Sequence, residues 1–199
     1  MRLGIFGGSF DPVHNGHLAL ARACQRQVAL DEVWFMPTAV QPLKARGPHA
    51  SDSDRVEMLR LATLDEPAWR VCTLEIERGG RSYTIDTMRQ LREELPEAML
   101  FFLIGADALR DVAQWKDPRE IFRLATPLVV HRPGEAQPSL ETLGALCTSS
   151  TQPLVVNMPL VDISSTEIRR RVGAGDSIES FTPEAVAQYI AARELYRTQ

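Results

Sequence analysis

The sequence predicts an α/β protein, a doubly wound parallel sheet with helices on both faces and a helical C-terminal segment. Two observations lead there. Short runs rich in aliphatic or aromatic residues alternate with stretches whose apolar residues recur at helical spacing, the order of strand–helix–strand units. The 199 residues are also enough for one buried core, so a single domain is expected over 1–199, with a helical segment from about residue 163 to 199 packed on it.

Taken in order, Leu3–Phe6 is an apolar run that stops in Gly7-Gly8 and reads as the first strand. Gly16–Leu30 carries helical periodicity, Glu32–Met36 reads as a strand, and Ser53–Leu64 is a helix behind a Ser-Asp start. Val71–Ile76 reads as the third strand, Thr84–Leu95 as a helix ending before Pro96, and Met99–Ile104 and Pro127–His131 as strands. Arg132–Gln152 looks like a loop around a short helix, and Leu154–Asn157 is the last strand. The stretch 182–196 opens with Thr182 as the expected N-cap and Pro183 at the first helical position, followed by an apolar stripe of Val186, Ile190 and Leu195. In such folds ligands bind beyond the carboxyl ends of the strands, where the strand order reverses, so the loops that follow strands are where chemistry is expected.

Composition narrows the field. With 44% hydrophobic and 24% charged residues, and no apolar run near the roughly 18 residues of a membrane span, membrane insertion is not expected. The N-terminus lacks the order of a signal peptide, which points to the cytoplasm. Cys24, Cys72 and Cys147 have no short spacing and read as buried reduced thiols rather than disulfides or a zinc knuckle. A net charge of -4 argues against nucleic acid as a partner. The densest basic cluster, EIRRR at 167–171, reads equally well as a solvated helix face.

The stretch GIFGGSFDPVHNGH, residues 4–17, concentrates the chemistry. Gly7 and Gly8 remove side chains where the chain turns, so backbone N–H groups can approach an anion. If Asn15 and Gly16 open a helix, His14 and His17 project to one side of its first turn, where the helix dipole also favours an anion. Three readings stand at this point: donors to phosphate oxygens, ligands to a metal, or a pair of core histidines. A zinc site would need a third ligand, for which His49 and His131 offer no supporting spacing.

The stretch GGSFDPVHNGH resembles the signature of the nucleotidyltransferase superfamily, whose H-x-G-H pattern binds the phosphates of ATP. RSYTIDT (81–87), LIGADAL (103–109) followed by Trp115, HRPG (131–134), DISSTEIR (162–169) and VAQYIAARELY (186–196) are similar, in order, to the bacterial nicotinate-nucleotide adenylyltransferase family. The resemblance covers nearly the whole chain and implies a Rossmann-like sheet. It also implies transfer of AMP from ATP to nicotinate mononucleotide, giving deamido-NAD and pyrophosphate, with Mg2+ carried on the ATP phosphates. The attacking group would be the substrate's own phosphate, already ionised at neutral pH, so no protein nucleophile is required.

Carried over residue by residue, the resemblance assigns His14 and His17 to the ATP phosphates, with His17 at the transition state. Gly7, Gly8, Ser9 and Phe10 would line the nucleotide cleft, and Gly105 and Asp107 the adenosine side. Ser164, Ser165 and Thr166 begin a helix and offer hydroxyls and N–H groups to the pyrophosphate end, with Arg169 as a fixed positive charge. Ser164 also fits an ordinary capping box with Glu167, and Asp107 an ordinary helix cap. Trp115 would stack on the pyridine, Tyr83 and Thr84 would present N–H groups to its carboxylate, and Lys44 and Arg132 could meet substrate phosphates.

The chain departs from the family in the loop after the second strand. Members commonly read Asn-x-x-Pro-Pro-His-Lys or Arg there, and this chain reads TAVQPLK (38–44), with Thr38, Gln41 and Leu43 in place of the Asn, first Pro and His. Leu43 cannot donate a hydrogen bond, so any role of that histidine is absent. Rival readings are an adenylyltransferase for nicotinamide mononucleotide or phosphopantetheine, a class I aminoacyl-tRNA synthetase, and a nucleotide sensor that has lost turnover. Self-association is left open.

Overall fold

Strands whose consecutive side chains are all apolar need cover on both faces, and this chain supplies it with helices between strands that all run parallel. The computed structural model describes residues 1–42, 47–131 and 140–197, and of Ala106 and Asp107 only the backbone. The strands are β1 (Arg2–Gly8), β2 (Glu32–Pro37), β3 (Trp69–Val71), β4 (Met99–Ile104), β5 (Ala125–His131) and β6 (Leu154–Asn157). They lie in the order β3-β2-β1-β4-β5-β6. The order reverses between β1 and β4, so the loops after these two strands part and leave a crevice at the carboxyl end of the sheet. This is the fold class predicted from the alternation.

The helices are α1 (Asn15–Val28), α2 (Asp52–Thr63), α3 (Leu74–Arg78), α4 (Thr84–Glu94), α5 (Ala106–Asp111), α6 (Pro118–Leu124), α7 (Glu141–Leu146), α8 (Ser165–Ala174) and α9 (Glu184–Ala192). Period-two alternation in the strands divides the core. Leu100, Phe102 and Ile104 of β4 face Ile85, Met88 and Leu91 of α4 and Phe122 of α6, whereas Phe101 and Leu103 share the other layer with Leu20 of α1, Ile168 of α8 and Val186 of α9.

Three expectations need correction. Val71–Ile76 is not a strand: β3 ends at Val71 and the chain turns into α3, whose Glu75 is buried. A carboxyl there needs side-chain hydrogen-bond donors, which a strand packed on both faces does not offer, and α3 closes where the Gly79 N–H reaches the Glu75 and Ile76 carbonyls at φ 68°. Thr182 does not cap α9. Its hydroxyl donates to the Val13 carbonyl at 2.9 Å, and Pro183 takes the capping position instead. Of the thiols, Cys24 is buried but Cys72 and Cys147 are only half-buried. α6 was not predicted, being shorter than the windows in which periodicity becomes visible, and the alternative of Asp107 as a helix cap is not met, since Gly105 takes that position and Asp107 lies within α5.

Candidate active site

At the strand-order reversal, β1 runs into a loop that leaves little room for a side chain at Gly8. A Cβ on Gly8 would come within 3.1 Å of the Phe10 ring, which folds back over it at φ 46° and meets Phe6 edge-on. This packing opens a cavity of about 1480 Å³ whose wall includes Gly7, Gly8, Ser9, Phe10, His14 and His17.

The histidines cap α1 reciprocally. His17 N–H donates to His14 Nδ1 at 3.4 Å, His14 N–H donates to His17 Nδ1 at 3.2 Å, and the rings stack with centroids 3.6 Å apart. Because both Nδ1 atoms accept from backbone, a neutral ring carries its proton on Nε2, and the pair becomes two N–H donors at a helix N-terminus. The intervening Gly16 suits this packing, since a Cβ there would lie a tight 3.0 Å from His14 Nδ1.

The C-terminal elements fasten the loop that carries these histidines, one carbonyl after another. Arg169 donates to the Asp11 carbonyl at 2.6 Å, Ser165 Oγ to the Pro12 carbonyl at 2.9 Å and Thr182 Oγ1 to the Val13 carbonyl. Asn15 N–H donates to the Phe181 carbonyl at 2.9 Å. Ser164, Ser165, Thr166 and Arg169 therefore stand in the same cavity wall as His14 and His17, and two helix N-termini meet there. Ser164 caps α8 by accepting the Glu167 N–H, but the reciprocal half of the expected capping box is replaced by pairing of the Glu167 carboxylate with Arg170 and Arg171. That pairing pulls the Glu167 pKa down to about 2.

Sequence reading missed the group that organises this region. Asp11, 3% exposed, accepts from His49 N–H at 2.7 Å, Ala50 N–H at 3.1 Å and Tyr196 Oη at 2.8 Å, with Arg169 3.9 Å away. Burial pushes its pKa up, but the donors and the Arg169 charge outweigh burial and hold it below the ordinary carboxylate value. Arg55, fully buried in α2, was also missed; it donates to the Ser9 and Thr38 carbonyls, each at 2.7 Å, and pairs with Asp52. The departing residues Thr38 and Gln41 join the same seam. Thr38 N–H donates to the Gly8 carbonyl, and Ser9 Oγ donates to Gln41 Oε1. Lys44 and Leu43 lie outside the described residues, as does Arg132.

Across the cavity, Gly105 ends β4 and caps α5, and Trp115 packs its ring edge-on against Phe102. Trp115, Tyr83, Thr84 and Gly105 all line the cavity, and for Asp107 only its backbone position in α5 is described. The Tyr83 N–H already donates to the Arg81 carbonyl at 3.1 Å, so a ligand reaches it only by displacing that carbonyl, whereas Thr84 is the first residue of α4. Lys116, another wall residue absent from the sequence reading, sits over the Tyr83 ring at 4.6 Å and pairs with Asp86.

In a parallel sheet of this strand order, a histidine-capped helix and a Ser/Thr-led helix meet at the strand-order reversal, an arrangement suited to a phosphate ligand. A family model described as cytidylyltransferase-like matches residues 5–171. Relatives from Frankia alni and Thermus thermophilus, each named "Probable nicotinate-nucleotide adenylyltransferase", are both 45% identical to this chain. The first alignment covers 97% of this chain and 99% of the relative, and the second 99% and 100%. The chain belongs to the nicotinate-nucleotide adenylyltransferase family. A solved structure of the Plasmodium falciparum nicotinic acid mononucleotide adenylyltransferase complexed with NaAD has the same fold, with a TM-score of 0.81 at 18% identity over 98% of this chain and 97% of that one.

Proposed function

We propose that this chain transfers the adenylyl group of ATP to nicotinate mononucleotide, forming nicotinate adenine dinucleotide and pyrophosphate as a step of NAD biosynthesis. The observation that carries this reading is the paired capping of His14 and His17, which turns both imidazoles into Nε2 donors beside the N-terminus of α8. Donors of this kind suit phosphoryl oxygens.

In the reaction a phosphate oxygen of the mononucleotide attacks the α-phosphorus of ATP, and the bond from that phosphorus to the oxygen bridging to the β-phosphate breaks. The bonding electrons leave with pyrophosphate. The protein's part is to align the reactants and to offset charge as it moves toward the leaving group. His17 and His14 donate to the transferring group, Ser164, Ser165, Thr166 and Arg169 hold the pyrophosphate end, and Gly7 to Phe10, Gly105 and Asp107 line the ATP cleft. Trp115, Tyr83 and Thr84 receive the pyridine, with Lys44 and Arg132 as phosphate contacts.

The polar groups named on the phosphate side are N–H and O–H donors, and the buried Asp11 carboxylate is engaged by His49, Ala50 and Tyr196. This donor set fits a Mg2+ ion that arrives on the ATP phosphates with its waters rather than in a protein cage. When bound, Mg2+ neutralises charge on the departing pyrophosphate. In this reading residues 1–199 form one nucleotidyltransferase domain, the protein works in the cytoplasm, and nucleic acid is not a partner. No described helix is long and apolar enough to cross a membrane.

The test is to incubate the protein with ATP, Mg2+ and either nicotinate or nicotinamide mononucleotide, and to measure pyrophosphate. Release with the nicotinate form is expected; no release with either substrate would overturn the reading.

A further inference from the structure

Glu75 is a buried acid that the chemistry above does not use. It lies in α3, is 5% exposed, and forms part of the cavity wall on the side of Tyr83 and Thr84. Thr87, in the first turn of α4, donates to Glu75 Oε1 at 2.7 Å, and Arg78 donates to the Thr87 hydroxyl at 2.8 Å. Glu75 Oε2 has no hydrogen-bond partner among the described residues. Burial raises the Glu75 pKa, and the hydroxyls of Thr87 and Ser82 and the charge of Arg78 offset only part of that rise.

These contacts bracket the residues that matter. Ser82 immediately precedes Tyr83, and its hydroxyl oxygen accepts the Ala39 N–H at 2.9 Å, while Thr87 lies one helical turn beyond. Tyr83, the N-cap of α4, makes no side-chain cap bond. A helix start normally takes its place from such a cap. Here Thr87, one turn on, is held by Glu75, and Ser82, just before Tyr83, by the Ala39 N–H.

We propose that Glu75 is the positioning residue of the pyridine subsite: by holding Thr87 in the first turn of α4 it sets where the Tyr83–Thr84 start of that helix meets the substrate. It thereby sets the preference for a pyridine carboxylate over the carboxamide. This deepens the adenylyl-transfer reading and rests on it.

Steady-state kinetics of the full chain with nicotinate and nicotinamide mononucleotides, at saturating ATP and Mg2+, test the proposal. Glu75→Ala is expected to raise KM for the nicotinate substrate about 10-fold and to shrink the nicotinate-to-nicotinamide ratio of kcat/KM, with KM for ATP unchanged and kcat within about threefold. Glu75→Gln, which keeps an acceptor for Thr87, is expected to restore most of the ratio. Should Glu75→Ala fail to fold, Thr87→Val removes the same link and should move KM and the ratio in the same direction. An unchanged ratio in the folded variants, or a loss spread equally over ATP and both mononucleotides, would overturn the proposal. Failure of the wild-type protein to make any dinucleotide would overturn the reading beneath it instead.

Discussion

Asp11, in the cavity wall beside the histidine pair, and Glu75, in the wall beside Tyr83 and Thr84, are both almost withdrawn from solvent, yet the fold treats them in opposite ways. Around Asp11 two backbone N–H groups, the Tyr196 hydroxyl and the Arg169 guanidinium converge, and the carboxyl stays ionised. Around Glu75 the donors are fewer, one oxygen goes without a partner among the described residues, and the proton is retained more tightly. A site that must hold a polyanion can accept a buried anion where fixed donors and a cation surround it. Where the donors are fewer, a buried acid holds its proton more tightly.

The largest break in this comparison is at the phosphate end. His17→Ala is expected to lower kcat about 100-fold, the scale of removing one preorganised donor to a transition state. The same change removes one acceptor from the reciprocal cap of α1, so stability should fall by only about 1 kcal/mol. Steady-state rates and a denaturant titration on one preparation separate the two effects. Retained kcat would show that the histidine pair is only a cap.

The sheet was legible in the sequence because central parallel strands must be apolar on both faces, and Met99–Ile104 shows that directly as a continuous run. His14 and His17 were legible because their partners lie within one helical turn. Asp11, Arg55 and Glu75 were not, because nothing in a sequence distinguishes an exposed Asp-Pro turn from an acid that gathers donors from residues 38 to 185 positions away. Glu75 was further hidden by the apolar residues Leu74 and Ile76 on either side of it, whose alternation imitates a strand. The stitching of the Asp11–Val13 carbonyls by α8 and Thr182 spans separations of 153 to 169 residues, beyond the reach of any local pattern.

A pH titration of stability sharpens the contrast, since the two acids act with opposite sign. Glu75 has a raised pKa in the folded protein, so the native state binds its proton more tightly and loses stability as pH rises from the ordinary value of 4.5 through the folded pKa. Glu75→Gln cannot ionise. Its stability relative to wild type should therefore climb across that window and level off above it, as read from denaturant midpoints at successive pH values. A constant offset at every pH would mean that Glu75 ionises as easily in the folded chain as in the unfolded one.

At Asp11 the sign reverses and the effect is smaller, because several donors share the work. Its folded pKa lies below the ordinary value of 3.8, so its contribution to stability is complete above that value and is lost as pH falls through the folded pKa. Tyr196→Phe removes one donor while keeping the ring, which moves the folded pKa back up. The variant should lose about 1.5 kcal/mol near neutral pH and, in acid, converge on the wild type as Asp11 takes up its proton. Because His49, Ala50 and Arg169 still hold Asp11, kcat should fall far less than in His17→Ala. An equal fall in kcat would mean that the C-terminal tyrosine, rather than the backbone donors and Arg169, sets the geometry of the histidine loop.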